Sequence, residues 1–282
     1  MKKKGLTKEK ITALFAIITA LVLILFIRTP VKTLKVDYDT YEDKTEFKGI
    51  YFAQEFVLYT GDVKGIVFKY KDGERIPRGG SISNNISAPE SGILIKHLDG
   101  YENKYSLDNV SNINENDISK IIEDNSKLQG LKLLNNSEWY IYAFVGQADY
   151  FKKGRHFVIE IDGNYYDTEV KQVLKNDNGN YLILKLKDDL NTINLHRGLS
   201  GNIIKSIYYG INIPKSALTE YKGSSGVFIN FNGYAEFRKI KVLFEGADTV
   251  IVVPEKSSRK QLQQYDDVIV KPQGIEEGTR IK

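Results

Sequence analysis

The sequence predicts a mostly β protein hung from a single N-terminal transmembrane helix. Three observations predict it. Residues 11–27 form an uncharged apolar run. Beyond them, short stretches rich in Val, Ile, Tyr and Phe are separated by Asp-Gly and Asn-Gly turns. Only one other segment, Asn114 to Asp124, has helical spacing. Hairpins at short intervals with so few helices read as barrels or sandwiches rather than an α/β enzyme core.

The apolar run, Ile11 to Ile27, carries no charge, and its hydroxyls Thr12 and Thr19 can bond back to their own helix. At ~1.5 Å per residue its length approaches the hydrocarbon core, and the stems of Lys8 and Lys10 can extend the span by snorkelling. The basic residues Lys2, Lys3, Lys4, Lys8 and Lys10 precede it. They act as a topology signal that keeps residues 1–10 in the cytoplasm and exports everything after Arg28. The run ends in Leu25-Phe26-Ile27-Arg28-Thr29-Pro30, with no small-x-small cleavage site, so it reads as an uncleaved anchor in the cytoplasmic membrane.

Charge agrees with this division. The 282 residues carry a net charge of +4, but residues 1–28 hold six basic residues against Glu9, a local +5. The other 34 basic and 35 acidic residues net −1, so the exported part is near neutral and no nucleic-acid partner is expected. Tyr150-Phe-Lys-Lys-Gly-Arg-His156 interleaves basic and aromatic residues but reads as a solvated hairpin. The absence of cysteine excludes disulfides, thiolate metal sites and thiol nucleophiles.

Along the exported chain, strands are expected at 65–70, 139–145, 156–161, 181–186, 239–244, 249–253 and 268–270. Turns are expected at Lys71-Asp-Gly73, Asp162-Gly-Asn164, Asn176-Asp-Asn-Gly179 and Asn232-Gly233, pairs that tolerate the positive φ of tight hairpins. Gly223-Ser-Ser-Gly226 reads as a turn before a strand at 227–229. In the one exported helix, Ile118, Ile121 and Ile122 share a face and an Asn or Asp caps the start.

The most informative stretch has two halves. The first is Lys64-Gly65-Ile-Val-Phe-Lys-Tyr-Lys-Asp-Gly73-Glu-Arg-Ile-Pro-Arg-Gly79-Gly-Ser-Ile82; the second is Ile86-Ser-Ala-Pro89-Glu-Ser-Gly92-Ile-Leu-Ile-Lys-His-Leu-Asp99-Gly100-Tyr-Glu102. Each sets a glycine before an apolar strand and a glycine-bearing turn after it. Interlocked hairpins would follow, with Gly65 and Gly92 allowing close backbone crossings and Gly73 and Gly100 taking turn conformations. These halves resemble the lipoyl-like (barrel-sandwich hybrid) domain of HlyD-family periplasmic adaptor subunits, or membrane fusion proteins. Leu133 to Val145 is similar to the entry of that family's β-barrel domain, and Ile211 to Gly246 to its membrane-proximal segment. Leu262 to Ile281 is similar to its ending.

The resemblance implies a cytoplasmic tail (1–10), a transmembrane anchor (11–27) and a linker (28–45). A lipoyl-like barrel-sandwich hybrid (46–102), a polar linker with a short helix (103–127), a β-barrel (128–205) and a membrane-proximal β domain (206–282) follow. It further implies efflux or secretion, contact with a membrane transporter or envelope complex, and homo-oligomers. Only eight residues separate Gly79 from Ala88, where full-length adaptors insert a long helical hairpin. That makes the chain similar to short, clostridial-type Gram-positive members and leaves open a non-transport scaffold of the envelope or division machinery. Lys71 has no attachment tetrapeptide around it, so no lipoyl or biotinyl cofactor is expected.

No catalytic or metal site is expected either. His97, His156 and His196 are 59 and 40 positions apart. Asp266 and Asp267 would point to opposite faces of a strand. The loop from Asn176 to Asn180 has Lys185 where a calcium loop needs Glu. With no convergent polar constellation, the chain reads as a protein–protein contact device and not as an enzyme.

Overall fold

A computed structural model describes residues 31–124, 126–177, 179–187, 196–256 and 260–281. The strands are β1 (Thr33–Lys35), β2 (Tyr38–Thr60), β3 (Arg75–Ile76), β4 (Gly92–Ile95), β5 (Gly130–Val145), β6 (His156–Ile161), β7 (Asn164–Asn176), β8 (Gly179–Leu186), β9 (Gly198–Pro214), β10 (Thr219–Tyr221), β11 (Ser224–Phe231), β12 (Tyr234–Glu245), β13 (Thr249–Pro254) and β14 (Asp267–Ile269). The helix α1 is Glu115–Glu123. The chain divides into two compact units, one of residues 42–207 and one joining the N-terminal segment up to Tyr41 with residues 208–282.

The 42–207 unit contains a closed antiparallel ring. β5 pairs with β2 and β8, β8 with β7, β7 with β6 and β6 with β9, and β9 returns to β2. Alternation along β5 sends Trp139, Ile141, Ala143 and Val145 to the interior, where they meet Phe47, Ile159, Leu184 and Ile203. The alternate residues Ile50, Phe52, Tyr142 and Ile183 face outward and are covered by Ile118 and Ile121 of α1. Asn114 caps that helix with a reciprocal bond pair to Asp117. Helix and ring approach so closely that a Cβ on Gly198 would lie 2.4 Å from Ile122 Cα.

Past Ala53 the same two strands leave the ring and enter a second, less regular layer. Residues 55–60 of β2 pair with 130–134 of β5, and β4 joins at Leu133 and Leu134. Its core is Ile76, Ile82, Ala88, Leu94, Leu131 and Leu133.

In the other unit, the strand order β1-β14-β11-β12-β13-β9 forms a curved sheet with β10 beside β11. Asn212 N donates to Asp37 O at 3.1 Å, bringing β9 back to the segment that follows β1. Val227, Ile229, Val250, Val252 and Val268 fill one face, and Phe228, Phe237, Ile269 and Ile281 the other. The Asn232-Gly233 turn between β11 and β12 has φ of 52° and 85°, as its residue pair predicts.

Three expectations are corrected. Residues 65–70 form no strand: Lys69 N bonds Ile82 O, but Val67 points to solvent at 83% exposure, so the run contributes Phe68 and Tyr70 to the core without a ladder. The turn expected at 223–226 lies one step earlier, at Lys222-Gly223, and Ser224, Ser225 and Gly226 already belong to β11. The segment read as a linker, 28–45, holds β1 and the start of β2, because Val36 buries itself in the core of the second unit.

Candidate functional site

The two glycine-punctuated halves lie against each other through backbone bonds. Gly73 N donates to Leu94 O at 2.8 Å and Leu94 N to Glu74 O at 3.0 Å. Gly79 N donates to Ala88 O at 2.8 Å and Ala88 N to Gly80 O at 2.9 Å. Gly73, Gly79 and Gly100 all have φ between 76° and 78°, which side chains other than glycine's disfavour. Gly92 is a close crossing, where a Cβ would come within 2.5 Å of Leu134 O. Gly65 is not: it sits in an open turn, and a Cβ there would meet nothing within 4 Å. Pro89 is exposed in a bend after Ala88. Between the halves, Ile82 N bonds Ile86 O at 2.8 Å, so a turn of three residues closes the position where a helical hairpin would be inserted.

Sequence reasoning missed the electrostatic centre of this unit. Lys132 of β5 has a 2% exposed side chain, and its Nζ lies 2.9 Å from Glu55 Oε1, 3.1 Å from Asp99 Oδ2 and 3.0 Å from Glu102 Oε1. Arg197, equally buried, donates from Nη2 to Glu55 Oε1 and Oε2 at 2.9 Å and to Asp99 Oδ2 at 2.9 Å. Its Nη1 donates to Tyr51 O at 3.3 Å, and its guanidinium lies 4.6 Å from the Tyr51 ring centroid.

Three carboxylates and two cations thus share a largely buried site that ties β2, the loop after β4, β5 and the residue just before β9. Burial opposes ionisation of Asp99, but Arg197 and then Lys132 outweigh it and hold the carboxyl below its ordinary pKa. Burial likewise opposes the Lys132 ammonium, and its neighbours Tyr51, Glu55 and Asp99 override it and raise the pKa. Removing either cation would leave the three carboxylates with a single counter-charge. In the intact set each carboxylate has a cation partner, while the buried Arg197 Nε has no hydrogen bond among the described residues. The signal was present as Lys132, a charge among leucines in Gly130-Leu-Lys-Leu-Leu134, and as the acids of Asp99-Gly100-Tyr-Glu102, which read only as a turn.

The remaining candidates do not assemble. His97 is half-buried, and burial holds its imidazole below the ordinary value. His156 pairs across the β6–β7 ladder with Glu169, and His196 is exposed. Among the described residues no group of three His, Cys, Asp or Glu side chains could hold a metal. In the loop weighed as a calcium site, Asn176 pairs with Gly179 where β7 meets β8. A cleft of about 860 Å³ in the ring contains Lys44, whose charge is already matched by Glu42 and Glu160, each at 2.7 Å. The anchor residues Ile11 to Ile27 and the topology lysines Lys2, Lys3, Lys4, Lys8 and Lys10 lie outside the described residues. Within those, no helix is long and apolar enough to cross a membrane.

Residues 55–142, the layer that holds the two half-motifs and most of the ion cluster, match a family model described as RND related, barrel-sandwich hybrid domain. The chain is mostly β and contains a barrel-sandwich hybrid domain. No curated protein matches it. Among solved structures it is similar to ZneB from Cupriavidus metallidurans, with 12% identity over 87% of this chain and 94% of that one and a TM-score of 0.31. It is also similar to MacA from Actinobacillus actinomycetemcomitans, at 12% identity, 85% and 99% coverage and a TM-score of 0.39. A MacA–MexA chimera carrying the Pseudomonas aeruginosa MexA α-hairpin domain gives 11% identity, 83% and 99% coverage and a TM-score of 0.35.

Proposed function

We propose that this chain is a membrane-anchored, extracytoplasmic adaptor that binds a membrane transporter or envelope complex in efflux or secretion, and that it works as a homo-oligomer. The observation that carries this reading is the RND-related barrel-sandwich hybrid over residues 55–142. The uncharged run at 11–27 behind five lysines supports an anchor with its N-terminus in the cytoplasm. In this reading the protein belongs with short HlyD-like adaptors of single-membrane, clostridial-type Gram-positive cells and performs no catalysis. Chemical cross-linking in native membranes, followed by affinity purification and mass spectrometry, should recover a transport protein and a second copy of the chain. Recovery of neither rejects the adaptor.

A second reading is favoured by the three-residue closure between Ile82 and Ile86. A hybrid domain without a projecting hairpin suits a scaffold of the envelope or division machinery that moves no substrate. A fluorescent fusion concentrated at the septum would support it, and an even membrane signal with drug sensitivity on deletion would support the adaptor.

A further inference from the structure

A groove of about 470 Å³ opens where β2 and β5 pass from the ring into the hybrid layer. Two irregularities create it. Ala53 pairs with Trp139 and Glu55 with Leu134, so the single residue Gln54 stands opposite residues 135–138, a bulge that lifts this part of β5 out of the ladder. Asn103, on the facing turn, holds a left-handed φ of 55°, fixed by its N–H donating to Glu55 of the ion cluster at 3.4 Å. Bulges and left-handed residues other than glycine concentrate at binding sites because each costs energy that a plain strand would avoid.

The lining has a consistent chemistry. Tyr140, half-buried, lies nearly parallel to the buried Phe52, with centroids 5.4 Å apart, so a rigid aromatic surface forms one wall. Tyr105 also lines the groove, itself stacked on Tyr101 at 6.0 Å. The lining also includes Gln54, Asn103 and Ser106, which bring two carboxamides and a hydroxyl. Gln54 Oε1 accepts from Asn135 Nδ2 at 3.3 Å. Gln54 Nε2, the Asn103 carboxamide, the Tyr105 hydroxyl and Ser106 Oγ make no hydrogen bond among the described residues. The one charge in the lining, Glu138, is matched by Lys185 at 2.6 Å and accepts from the Tyr140 hydroxyl.

From this we infer that the groove is a binding site for a neutral carbohydrate chain. A pyranose offers an apolar C–H face to an aromatic wall and an edge of hydroxyls that both donate and accept. Carboxamides and hydroxyls supply both roles, as they do in small-ligand pockets of this size. With Glu138 already paired, the groove offers no unmatched charge to an ionic ligand. The inference does not depend on the adaptor reading, since it concerns a groove within one unit and needs no partner protein.

The test uses the full chain in nanodiscs, free of glycosidic detergents. Saturation-transfer NMR and calorimetry would be run with N-acetylglucosamine tetramer and with maltotetraose. Binding of at least one is expected, weakened tenfold or more by Tyr105→Ala and by the surface substitution Gln54→Ala. Tyr165→Ala, on the outer surface of β7, should leave it unchanged, and an unaltered Trp139 emission spectrum checks that each variant is folded. No binding of either sugar at millimolar concentration overturns the inference. So does binding indifferent to both groove substitutions, or a neutral tetrapeptide that displaces the sugar.

Discussion

The two compact units solve the problem of a β core in different ways. The unit with β10 to β14 is built from hairpins whose two faces are almost wholly apolar, and Arg238 is its one buried charged side chain among the described residues. The 42–207 unit buries Glu55, Lys132 and Arg197 together, with Asp99 and Glu102 at their side. Short strands occur in both units, β1, β10 and β14 having three residues each, so strand length alone does not account for the difference. In the hybrid layer β3 has two residues and β4 four, and alternation alone selects no register there. A charge network joining residues 98 and 142 positions apart supplies a specification that the short ladders lack.

The sharpest way to break this comparison is Lys132→Met, which keeps the stem and removes the charge. Leaving Glu55, Asp99 and Glu102 with one cation should cost about 3–5 kcal/mol. The chain's single tryptophan, Trp139, is fully buried in this unit, so its emission follows unfolding of residues 42–207. The urea midpoint read by Trp139 should fall, and an unmoved midpoint would mean the network is dispensable. Ile229→Ala, in the apolar core of the other unit, should cost about 2–5 kcal/mol. That loss should be visible by far-ultraviolet circular dichroism, with a much smaller change at Trp139.

The pH response sharpens the same contrast. Asp99 is held below its ordinary value of 3.8, so its contribution is complete above that pH and is lost as pH falls through the lower folded value. Lys132, held above 10.5, behaves in the opposite sense: its contribution is complete below that pH and lost as pH rises through the folded value. Stability read at Trp139 should therefore decline at both extremes. In the other unit Glu236 is held low by its bond to Arg238 and by Lys260, but it is only partly buried, so added salt should weaken its acid response most. Equal salt sensitivity in both units would remove the distinction. The smallest effect is expected from Gly233→Ala, which forces a Cβ into φ 85° and should cost about 1–2 kcal/mol without moving the Trp139 transition.

What the sequence made legible follows the same division. The strands at 156–161, 239–244 and 249–253 and the turn at Asn232-Gly233 were readable because alternation and turn chemistry are local. The helix at 115–123 was readable from Asn114 and its isoleucine face. Gly73 and Gly79 were readable as turn glycines because a positive φ is a local backbone demand. Residues 65–70 misled because an apolar run with only one neighbouring backbone looks locally like a strand. The ion cluster was hidden because Arg197 and Glu55 acquire meaning only when 142 positions of chain fold between them.

The most direct test of the adaptor reading is site-specific photo-crosslinking in native membranes from two exposed positions, Tyr165 in one unit and Tyr234 in the other. Adducts with a polytopic transport protein and with a second copy of the chain are expected. Adducts confined to division or wall-synthesis proteins, with no transport protein among them, would contradict the adaptor reading.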